Sequence, residues 1–518
     1  MNIVFVTPPS GFLLDERVFP SLGILKVAAS CISAGHEVDH WDFSGVPTYV
    51  EECRARCLRT EARLFALTAT TPQMPAAIKI TSTIREVLPN AKIILGGPHA
   101  TLVNAAAKGE RARGFVGRGV AALVRLTETY DTVVAGDGEN AIHQAIQGAV
   151  EGSSESAVLQ RLQDRDGSLR PKDGRNEQND LCVHQSASDR LIDADDPKST
   201  LWLTSQGFTD SPWPARHLID LNSYHYEIDG ERAAHCVAQL GCPFACGFCG
   251  GRESYMLRRI RLRSTDNVVA EMENLHQQYG YRAMMLNDDE LNVNTQMIPL
   301  MLAIKALGNK YGFQWKLRGF VKAELFTDEQ AEAMHAAGFR WLLCGFESAH
   351  PRILHNINKK ATLEDNTRML RIAHKHGLKV KALMSLGHPG ESEETIHATR
   401  DWLLAEKPDD FDATCITLYP GTPYWDHSVR VGADDVYRYQ YAGDNLYSMD
   451  VDFLREQAFY KGIPGHYRSF VWTDSLTPER LVELRDSVES EVREKLKLPY
   501  PQGPAKHIES SMGQRSSA

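Results

Sequence analysis

Three cysteines in the middle of the chain have the spacing of a metal-binding loop. Cys242, Cys246 and Cys249 form a Cys-x3-Cys-x2-Cys array in the stretch LGCPFACGFCGGR. An iron-sulfur cluster with four irons normally takes four cysteine thiolates, so three cysteines leave one iron open to a small molecule. A zinc site or a partial disulfide framework is the alternative, but zinc needs a fourth Cys or His at ligand spacing. The stretch that follows offers only His276, inside an amphipathic helical pattern.

Six short apolar runs alternate with helical patterns and are predicted to position this loop. Alternating strands and helices indicate an α/β domain with a parallel sheet, whose functional residues lie at the C-terminal strand ends. The first run leads straight into the cysteine loop. The runs are Ala233–Leu240, Ala283–Leu286, Phe313–Leu317, Trp341–Gly345, Lys379–Ser385 and Asp412–Leu418.

Polar residues and turns follow these runs, where a ligand of the sheet would bind. For the acids after the second run, the alternative to ligand binding is a charged cap of the strand end. For the arginine that ends the third run, the alternative is a surface salt bridge. The later turns are also ordinary Pro-Gly turns. In chain order the residues are Asp288, Asp289, Glu290, Arg318, Glu347, Ser348, Lys359, Gly387–Glu391 and Tyr419–Pro423.

The N-terminal part predicts a second, doubly wound α/β domain. Its strand candidates are 2–7, 38–42, 64–70, 93–95 and 132–135, with helical patterns between most of them. Ligands of such sheets bind at the carboxyl ends of the strands. Each residue at these strand ends, taken alone, indicates only a turn. The strand-end residues are Pro8, Pro9, Ser10, Asp42, Thr70, Thr71, Gln73, Gly96, Gly97, His99, Gly136, Gly138 and Glu139.

These motifs together resemble a known enzyme family. The cysteine array, with Phe248 before its last member, is similar to the cluster loop of the radical S-adenosylmethionine (radical SAM) superfamily. The GGPHAT and GDGE loops resemble those of the cobalamin-binding domain in front of many radical SAM barrels. The stretches LGCPFACGFCGGRESYMLRRIRLRS and DDELNVN and the helical segment Leu476–Leu496 look like class B cobalamin-dependent methyltransferases of antibiotic biosynthesis, among which the aminoglycoside C-methyltransferases are nearest.

The resemblance implies a partial (β/α)6 barrel and three cofactors: a 4Fe-4S cluster on the three cysteines, S-adenosylmethionine and cobalamin. The residues it implies for S-adenosylmethionine and the cluster surroundings are Phe248, Gly250, Asp288, Arg318, Glu347, Ser348, Lys359, Gly387, Pro389, Gly390, Tyr419, Pro420 and Gly421. The strand-end residues of the first domain would bind cobalamin. Glu290, Asp289 and Tyr437 are candidates to accept a proton.

One departure from the family concerns the cobalt. The Asp-x-His-x-x-Gly pattern that supplies a histidine below cobalamin is absent, so we expect base-off cobalamin without a protein histidine ligand. Gln73 or Met74, at the end of the third strand, is placed to face the lower side of the cobalamin. The alternative is that these residues only shape the loop. The segment 105–129 is also longer and more basic than the family usually has there.

The resemblance implies methylation of an unactivated carbon of a small natural-product intermediate. One S-adenosylmethionine would methylate cobalamin, and another would be split to the radical that removes a substrate hydrogen; a flavodoxin or ferredoxin system would supply electrons. A rearrangement, ring contraction or cyclisation with the same cofactors is the second hypothesis. A non-catalytic cobalamin or redox sensor is the third; it is disfavoured because the chain carries no recognisable output domain.

Composition sets the remaining expectations. The net charge of -10 argues against a nucleic-acid partner, and one basic run, Arg252–Arg263, is either an anion-binding segment or a salt-bridged face. Ten scattered cysteines are typical of a reducing compartment. The N-terminus has no basic region before a long apolar segment, so we expect a cytoplasmic protein without a membrane partner.

The predicted domain plan divides the whole chain. Residues 1–148 would form the cobalamin-binding domain, 149–215 a linker or wrap, 216–430 the barrel, 431–500 a mainly helical C-terminal cap and 501–518 a disordered tail.

Overall fold

A computed structural model describes residues 1–11, 13, 15–151, 189–432, 435–458 and 468–499. The chain divides into two compact units. The first comprises Met1–Pro9, Ser21–Leu203 and Ser211–Ile219, and the second comprises Ser10–Pro20, Thr204–Asp210 and Asp220–Ala518. The predicted tail 501–518 and positions 152–188 of the predicted linker lie outside the described residues.

The first unit is built on a sheet of six parallel strands. They are β1 Asn2–Thr7, β2 Glu37–Asp42, β3 Leu64–Thr68, β4 Lys92–Gly96, β5 Thr132–Gly136 and β6 Leu191–Ala194. Their order in the sheet is β2-β1-β3-β4-β5-β6. The central strands are apolar and buried on both faces, as parallel strands covered by helices must be. The α/β prediction for this part is confirmed.

The strand β6 was not predicted, because its short sequence follows a polar stretch that lacks periodicity. It lies in the range predicted as a linker, and it pairs with β5 at the edge of the sheet. The long segment 105–129 contains the end of one helix and the whole of the next. The helices of this unit are α1 Leu22–Ser33, α2 Tyr49–Cys57, α3 Met74–Val87, α4 Pro98–Ala112, α5 Arg118–Thr129 and α6 Gly138–Glu151.

The second unit contains a seven-stranded sheet and a short antiparallel pair. The strands of the sheet are β7 Glu227–Ile228, β8 Glu231–Cys236, β11 Ala283–Leu286, β12 Lys316–Phe320, β13 Phe339–Glu347, β14 Lys379–Leu386 and β15 Asp410–Cys415, and those of the pair are β9 Gln239–Leu240 and β10 Arg261–Leu262.

The sheet order is that of the predicted partial (β/α)6 barrel. It runs β15-β14-β13-β12-β11-β8-β7. Six of the strands are parallel and follow one another in chain order, and only β7 pairs antiparallel. The pair of β9 and β10 flanks the cysteine loop.

Helices connect the barrel strands, and several carry side-chain caps. Thr327, Thr362 and Ser392 begin three of them with capping boxes. The helices of this unit are α7 Ser205–Asp210, α8 Tyr255–Arg258, α9 Thr265–Tyr279, α10 Met297–Tyr311, α11 Asp328–Ala337, α12 Pro351–Ile357, α13 Leu363–Lys375, α14 Glu393–Glu406, α15 Pro423–Asp426 and α16 Pro478–Leu496.

Several strand predictions were shifted: the sixth barrel run, predicted as 412–418, is observed as β15 Asp410–Cys415, and two other shifts have a local cause. The first predicted run is divided into β8 and β9, because Val237 and Ala238 leave the sheet. The third begins three residues later than predicted: Gly312 ends α10 in the left-handed conformation, and the Phe313 N–H donates to the Gly308 carbonyl. Arg318 therefore lies in the middle of β12 and not at its end, which corrects its predicted placement.

The C-terminal part combines the predicted helix α16 with an antiparallel sheet that sequence patterns did not reveal. Its strands are β16 Val429–Arg430, β17 Val436–Tyr441, β18 Asp444–Met449 and β19 Val471–Trp472, paired in that order. Tyrosines at alternate positions of β17 share one face, as a strand period of two requires. In the part of the chain that the structure describes, the helices are all too short or too polar to cross a membrane.

Candidate active site

The cysteine loop follows β8 and β9, and two acids after β11 fix the backbone of the segment that leads into it. The Ala238 N–H donates to Asp288 Oδ1 at 2.6 Å, and the Gly241 N–H donates to Asp289 Oδ2 at 2.7 Å. Both acids thus act on the segment that leads into Cys242. Asp289, predicted as a proton acceptor, uses one carboxylate oxygen to position this loop.

The other side of the loop is held by α12 and the start of α15. The Gly247 N–H donates to the Ile357 carbonyl at 2.8 Å, and the Tyr424 N–H donates to the Gly247 carbonyl at 3.0 Å. A Cβ at Gly247 would stand closer than 3.0 Å to the Tyr424 ring. Only glycine therefore fits at position 247 while Tyr424 remains in place.

The three thiols differ in exposure. Cys246 is buried against Ile353 and Ile357, with Phe248 packed on the same cluster, whereas Cys242 is half-buried and Cys249 is exposed. Within the described ranges, no three His, Cys, Asp or Glu side chains converge as ligands of a single metal ion. A four-iron cube is larger than one ion and does not need such convergence. Three thiols on one braced loop fit the donor set of a 4Fe-4S cluster with an open iron.

A buried ionic group lies at the C-terminal ends of β11, β12 and β13. Lys359 Nζ is 3.1 Å from Glu347 Oε1, and Lys322 pairs with Glu324 while its Nζ donates to the Lys359 carbonyl at 2.9 Å. Glu290 interacts electrostatically with both lysines, and its Oε2 is buried without a hydrogen-bond partner among the described residues. A buried carboxylate oxygen without a partner requires compensation, which a bound ligand would provide.

The backbone of this group is strained. Glu347 has φ of +65°, and Asn358 and Lys360, on either side of Lys359, have φ of +59° and +65°. Such conformations cost a residue with a side chain about 1–3 kcal/mol and persist where the surroundings hold them. Here they direct Glu347 and Lys359 toward each other.

A polar chain continues from Glu347 to the turn after β14. Ser385 Oγ donates to Glu347 Oε2 at 2.7 Å and lies 2.7 Å from His388 Nε2. His388 Nδ1 lies 3.4 Å from Tyr424 Oη, and the Phe248 ring meets the His388 ring edge-on at 5.3 Å. The chain thus links Glu347 to the aromatic residues that pack against the cysteine loop.

Burial controls the protonation of these groups. Burial raises the pKa of Glu290 to about 7, against the opposing effect of Lys359 and Lys322, and burial raises the pKa of Asp288 to about 7 despite two backbone N–H donors. Burial alone would lower the pKa of Lys359, but Glu347 and other nearby anions raise it well above its usual value. Burial lowers the pKa of His388 to about 3, so this imidazole is neutral.

Several predicted residues lie apart from this group. Ser348 Oγ lies 3.3 Å from Thr399 Oγ1 and accepts the His350 N–H, so it braces the turn after β13. Arg318 is buried within the barrel and donates to Tyr226 Oη at 2.8 Å.

The predicted proton acceptor Tyr437 lies in the C-terminal sheet. It shares one face of β17 with Tyr439, whose ring centroid is 4.7 Å from that of Tyr424. This face of the strand is therefore the one that packs on the residues bracing the cysteine loop.

The predicted turns do follow the ends of β14 and β15. Gly387, Gly390 and Gly421 have positive φ. A Cβ at Gly390 would stand 2.5 Å from Asp444 Oδ2, and the Gly421 N–H donates to Asp426 Oδ1 at 3.0 Å. Pro389 accepts a hydrogen bond from Asn356 Nδ2 through its carbonyl, Tyr419 packs on Phe453, and Pro420 is buried; Gly250 lies on the cysteine loop.

In the first unit, the predicted residues gather at the C-terminal edge of the sheet. Thr70 and Gln73 form a capping box, and Gln73 Nε2 donates to the Pro8 carbonyl at 3.0 Å. Gln73 thus braces the loop, which was the alternative role. Thr71 Oγ1 lies 3.1 Å from Nδ1 of the buried His99, whose pKa burial lowers to about 4.

Two glycines of this edge are required by close backbone approaches. Gly97 has φ of +95°, and a Cβ there would stand 2.5 Å from Thr68 Oγ1. Gly136 has φ of +97°, and its Cβ would stand closer than 3.0 Å to the Asp195 nitrogen. Both positions therefore need glycine for the loop geometry itself.

The remaining residues predicted at the C-terminal edge of the first sheet make individual contacts and form no single cluster. Asp42 Oδ1 accepts the Ser44 N–H, Gly96 ends β4, and a Cβ at Gly138 would meet Val27 at 2.7 Å. Glu139 lies in the first turn of α6, and Pro9 is buried beside Pro8. Ser10 belongs to the second unit, where its N–H donates to Glu16 Oε2. Threonine, imidazole and glycine backbone at one edge of a parallel sheet fit a polar cofactor such as cobalamin.

Sequence reasoning missed part of the site. Lys322, Glu324, Ser385 and Tyr424 were not predicted as site residues, and His388 was named only as part of the turn Gly387–Glu391; each lies near the end of a barrel strand or in the segment after it. Their positions near strand ends were a weak signal. Their side-chain directions depended on turns that sequence patterns do not specify.

Comparison with known proteins agrees with this arrangement. Residues 237–403 match the Radical SAM superfamily, and residues 16–127 match the B12 binding domain. The chain is 25% identical over 433 residues to an uncharacterized methyltransferase of Pyrococcus horikoshii, covering 83% of each chain. It is 25% identical over 483 residues to the anaerobic magnesium-protoporphyrin IX monomethyl ester cyclase of Cereibacter sphaeroides, covering 92% of this chain and 71% of the relative.

A solved structure has the same fold. The radical S-adenosylmethionine methyltransferase TsrM from Kitasatospora setae superimposes with a TM-score of 0.61 at 17% identity, covering 95% of this chain and 90% of TsrM. That structure was determined with cobalamin and a [4Fe-4S] cluster bound. With a B12 binding domain followed by a radical SAM domain, the chain belongs to the cobalamin-dependent radical SAM enzymes.

Proposed function

We propose that the chain is a C-methyltransferase. It would transfer a methyl group of S-adenosylmethionine, with cobalamin as the carrier, to an unactivated carbon of a small intermediate in antibiotic or other natural-product biosynthesis. The observation that carries the proposal is the match to an uncharacterized methyltransferase of Pyrococcus horikoshii over 83% of both chains. The fold likeness to TsrM supports the same architecture but not the same substrate.

The chain's own residues would hold the cofactors in separate places. Cys242, Cys246 and Cys249 would bind the cluster, and the strand-end loops around Gly97 and Gly136 would bind cobalamin. The bound cofactors supply the radical and the methyl carrier, whereas the protein contributes placement and the exclusion of water.

The ionic group at the barrel strand ends suits S-adenosylmethionine. Glu347 offers a carboxylate to an amino or hydroxyl group, and the Lys322 and Lys359 ammonium groups are placed to attract a carboxylate. All three residues are buried, so their charges act in a medium of lower dielectric constant than water.

Glu290 is the residue that we propose as proton acceptor. Its Oε2 is buried without a hydrogen-bond partner among the described residues, and burial raises its pKa to about 7. A carboxylate with a pKa near the working pH can both take and release a proton. Tyr437, which shares a face of β17 with Tyr439, is the alternative acceptor.

The test is an anaerobic reaction of reconstituted protein with methyl-deuterated S-adenosylmethionine and candidate substrates. We expect 5'-deoxyadenosine, S-adenosylhomocysteine and a product that carries the labelled methyl group. Glu290→Gln should reduce the rate by about 100-fold or more, the range for loss of a general base. An unlabelled product would contradict methyl transfer.

The matched control is the same substitution on the surface of the second unit. Glu364 is exposed near the start of α13, and Glu364→Gln should leave the rate unchanged. A surface substitution of this kind usually has little effect on the folded protein. Equal losses in both variants would mean that Glu290 has no special role.

A second function is favoured by one specific observation. The similarity to the cyclase of Cereibacter sphaeroides extends over 92% of this chain. A cyclisation with the same cofactors would yield 5'-deoxyadenosine and an unlabelled product in the same assay, so one experiment separates the two functions. The reducing conditions that a cluster of this kind needs favour a cytoplasmic location under both.

A further inference from the structure

One buried hydroxyl joins two glycine loops at the C-terminal edge of the first sheet. Thr101 lies near the start of α4 and is fully buried. Its Oγ1 donates to the Gly97 carbonyl at 3.1 Å and accepts the Gly136 N–H at 3.0 Å. A single side chain therefore fixes the loop after β4 to the loop after β5.

The same face of α4 also fixes the strand beside β5. Asn104 and Lys108 follow Thr101 at spacings of three and seven residues, which place all three on one side of a helix. Asn104 Nδ2 donates to Asp193 Oδ1 at 3.0 Å, and Lys108 Nζ is 2.9 Å from Asp193 Oδ2. Since Asp193 belongs to β6, α4 holds β5 through Thr101 and β6 through Asp193.

The end of β6 packs directly against Gly136. Asp193 Oδ1 also accepts the Asp195 N–H at 3.0 Å, and Lys108 Nζ donates to the Asp195 carbonyl at 2.8 Å. A Cβ at Gly136 would stand closer than 3.0 Å to the Asp195 nitrogen and to the Ala194 carbonyl. The position of the Gly136 loop therefore depends on how Asp193 holds the end of β6.

These contacts extend beyond the part of the chain that matches a known cofactor domain. The match to the B12 binding domain ends at residue 127, whereas Gly136 and the whole of β6 follow it. The strand β6 lies in the range that the sequence indicated as a linker. The structure thus makes a segment outside the matched region part of the framework around the glycine loops.

We propose that Thr101 and Asp193 are positioning residues for cobalamin. Thr101 holds the Gly97 and Gly136 loops at a fixed separation, and Asp193 holds the end of β6 against Gly136. Loops that are ordered before a ligand binds lose less conformational entropy on binding, which raises affinity. The proposal rests on the cobalamin binding in the proposed function and not on the transfer of the methyl group.

The test measures the affinity of the full chain, with its cluster reconstituted, for hydroxocobalamin. Thr101→Val keeps the shape of the side chain and removes both hydrogen bonds, and we expect it to weaken cobalamin binding by about tenfold. Thr101→Ser keeps the hydroxyl and should bind like the wild type. Iron content should be unchanged in both variants, because the cluster cysteines lie in the other compact unit.

The matched control for Thr101 is a buried threonine on another helix of the same unit. Thr83 Oγ1 donates to the Lys79 carbonyl at 2.9 Å, the same bond to the preceding turn, and makes no second hydrogen bond among the described residues. Thr83→Val should retain wild-type affinity. Thermal unfolding of each variant separates a change in affinity from a loss of stability.

The second residue is tested in the same way. Asp193→Ala removes the acceptor of Asn104 Nδ2 and of the Asp195 N–H, and should also weaken cobalamin binding by about tenfold. Its control is Asp196→Ala, because Asp196 Oδ1 accepts the local, exposed Lys198 N–H at 2.9 Å. This control should bind cobalamin like the wild type.

Several results would overturn the proposal. Wild-type affinity in Thr101→Val, or equally weak binding in Thr101→Ser, would show that the hydroxyl does not position the loops. Affinity that falls only in step with thermal stability, in Thr83→Val as in Thr101→Val, would show a purely structural role. If Thr101→Val does not fold, wild-type affinity in Asp193→Ala overturns the proposal and weaker binding supports it.

The outcomes for the wild type separate this proposal from the proposed function. A wild-type chain that binds no cobalamin would overturn both. A wild-type chain that binds cobalamin and forms no methylated product would contradict the proposed methyl transfer alone, since the affinities of the variants are measured without turnover.

Discussion

Adjacent acids have different roles at this site. Asp288 and Asp289 accept backbone N–H groups of the segment before Cys242, whereas Glu290 interacts electrostatically with Lys322 and Lys359. Asp288 is buried, Glu290 is half-buried and Asp289 is exposed. A buried carboxylate must find compensation. Asp288 finds it in part in the backbone, through Oδ1. Asp288 Oδ2 and Glu290 Oε2 are both buried without a hydrogen bond among the described residues.

Another buried acid makes the stability of the protein depend on pH. Burial raises the pKa of Glu391 to about 7 from a usual value of 4.5. The folded state therefore binds more protons than the unfolded state between these values, and stability falls as pH rises through this window. Glu391 accepts hydrogen bonds from Thr395 Oγ1 at 2.5 Å and from the Gly387 N–H at 3.2 Å.

We expect Glu391→Gln to remove this contribution to the pH dependence. The variant should differ least from the wild type below about pH 4, where both side chains are neutral in either state, and should gain stability relative to it as pH rises to about 7. The largest gain would be on the order of 3 kcal/mol. Thermal unfolding at a series of pH values measures it. A constant difference between the two proteins would contradict the assigned pKa.

At the scale of elements, α16 covers the open edge of the barrel sheet. Arg485 Nε donates to the Ala413 carbonyl at 3.0 Å, and the Ala413 N–H donates to Glu489 Oε1 at 2.7 Å. These side chains occupy the backbone groups that a further strand would bind. An exposed edge strand promotes association with other chains, so the helix protects β15.

Replacing Glu489 should destabilise this part of the molecule strongly. Glu489→Ala would remove the acceptor of the Ala413 N–H and a partner of Arg493, whose Nε is 2.7 Å from Glu489 Oε2. Breaking a buried ion pair from one side costs about 3–5 kcal/mol. Chemical denaturation of the full chain measures the change.

The matched control for Glu489 lies on the same helix. Glu494 is exposed, and Glu494→Ala should change the free energy of unfolding by less than about 0.5 kcal/mol. Equal effects of the two substitutions would mean that the buried network contributes nothing beyond helix propensity.

At the scale of the whole molecule, the candidate residues for the two metal-containing cofactors fall in different compact units. The cysteine loop lies in the second unit, and Gly97 and Gly136 lie in the first. Each site is built on its own parallel sheet. We therefore expect the two cofactors to be lost independently.

A pair of variants tests this independence. Cys246→Ala should lower the iron content and abolish 5'-deoxyadenosine formation while cobalamin binding persists. Gly97→Ala places a Cβ at a φ of +95°, 2.5 Å from Thr68 Oγ1, which costs about 1–3 kcal/mol, and should weaken cobalamin binding about tenfold without loss of iron. Iron and cobalamin per chain are the measurements.

The control for the glycine variant is Gly23→Ala, where a Cβ meets no atom within 4 Å. This variant should retain both cofactors at wild-type levels. Loss of both cofactors from either Cys246→Ala or Gly97→Ala would contradict independent sites.

The sequence by itself determined the cofactor class and most of the fold. The cysteine spacing is a local property, since three residues on one loop need no other element to be recognised. Apolar runs located strand candidates for all six parallel barrel strands and for five of the six strands of the first sheet, because burial on both faces leaves a strong signal in short segments. The pattern alone indicated only an α/β fold, and the six-unit barrel was what the family resemblance implied.

Only the tertiary structure decided which side chains meet. Lys322, Glu347, Lys359 and His388 come from different strand ends and loops, and their convergence depends on positive-φ turns that no periodic pattern reveals. The same holds for the basic run Arg252–Arg263, whose buried and exposed arginines look alike in sequence. Burial and hydrogen bonding are set by contacts between distant segments, so the sequence named the chemistry and the fold selected the residues that perform it.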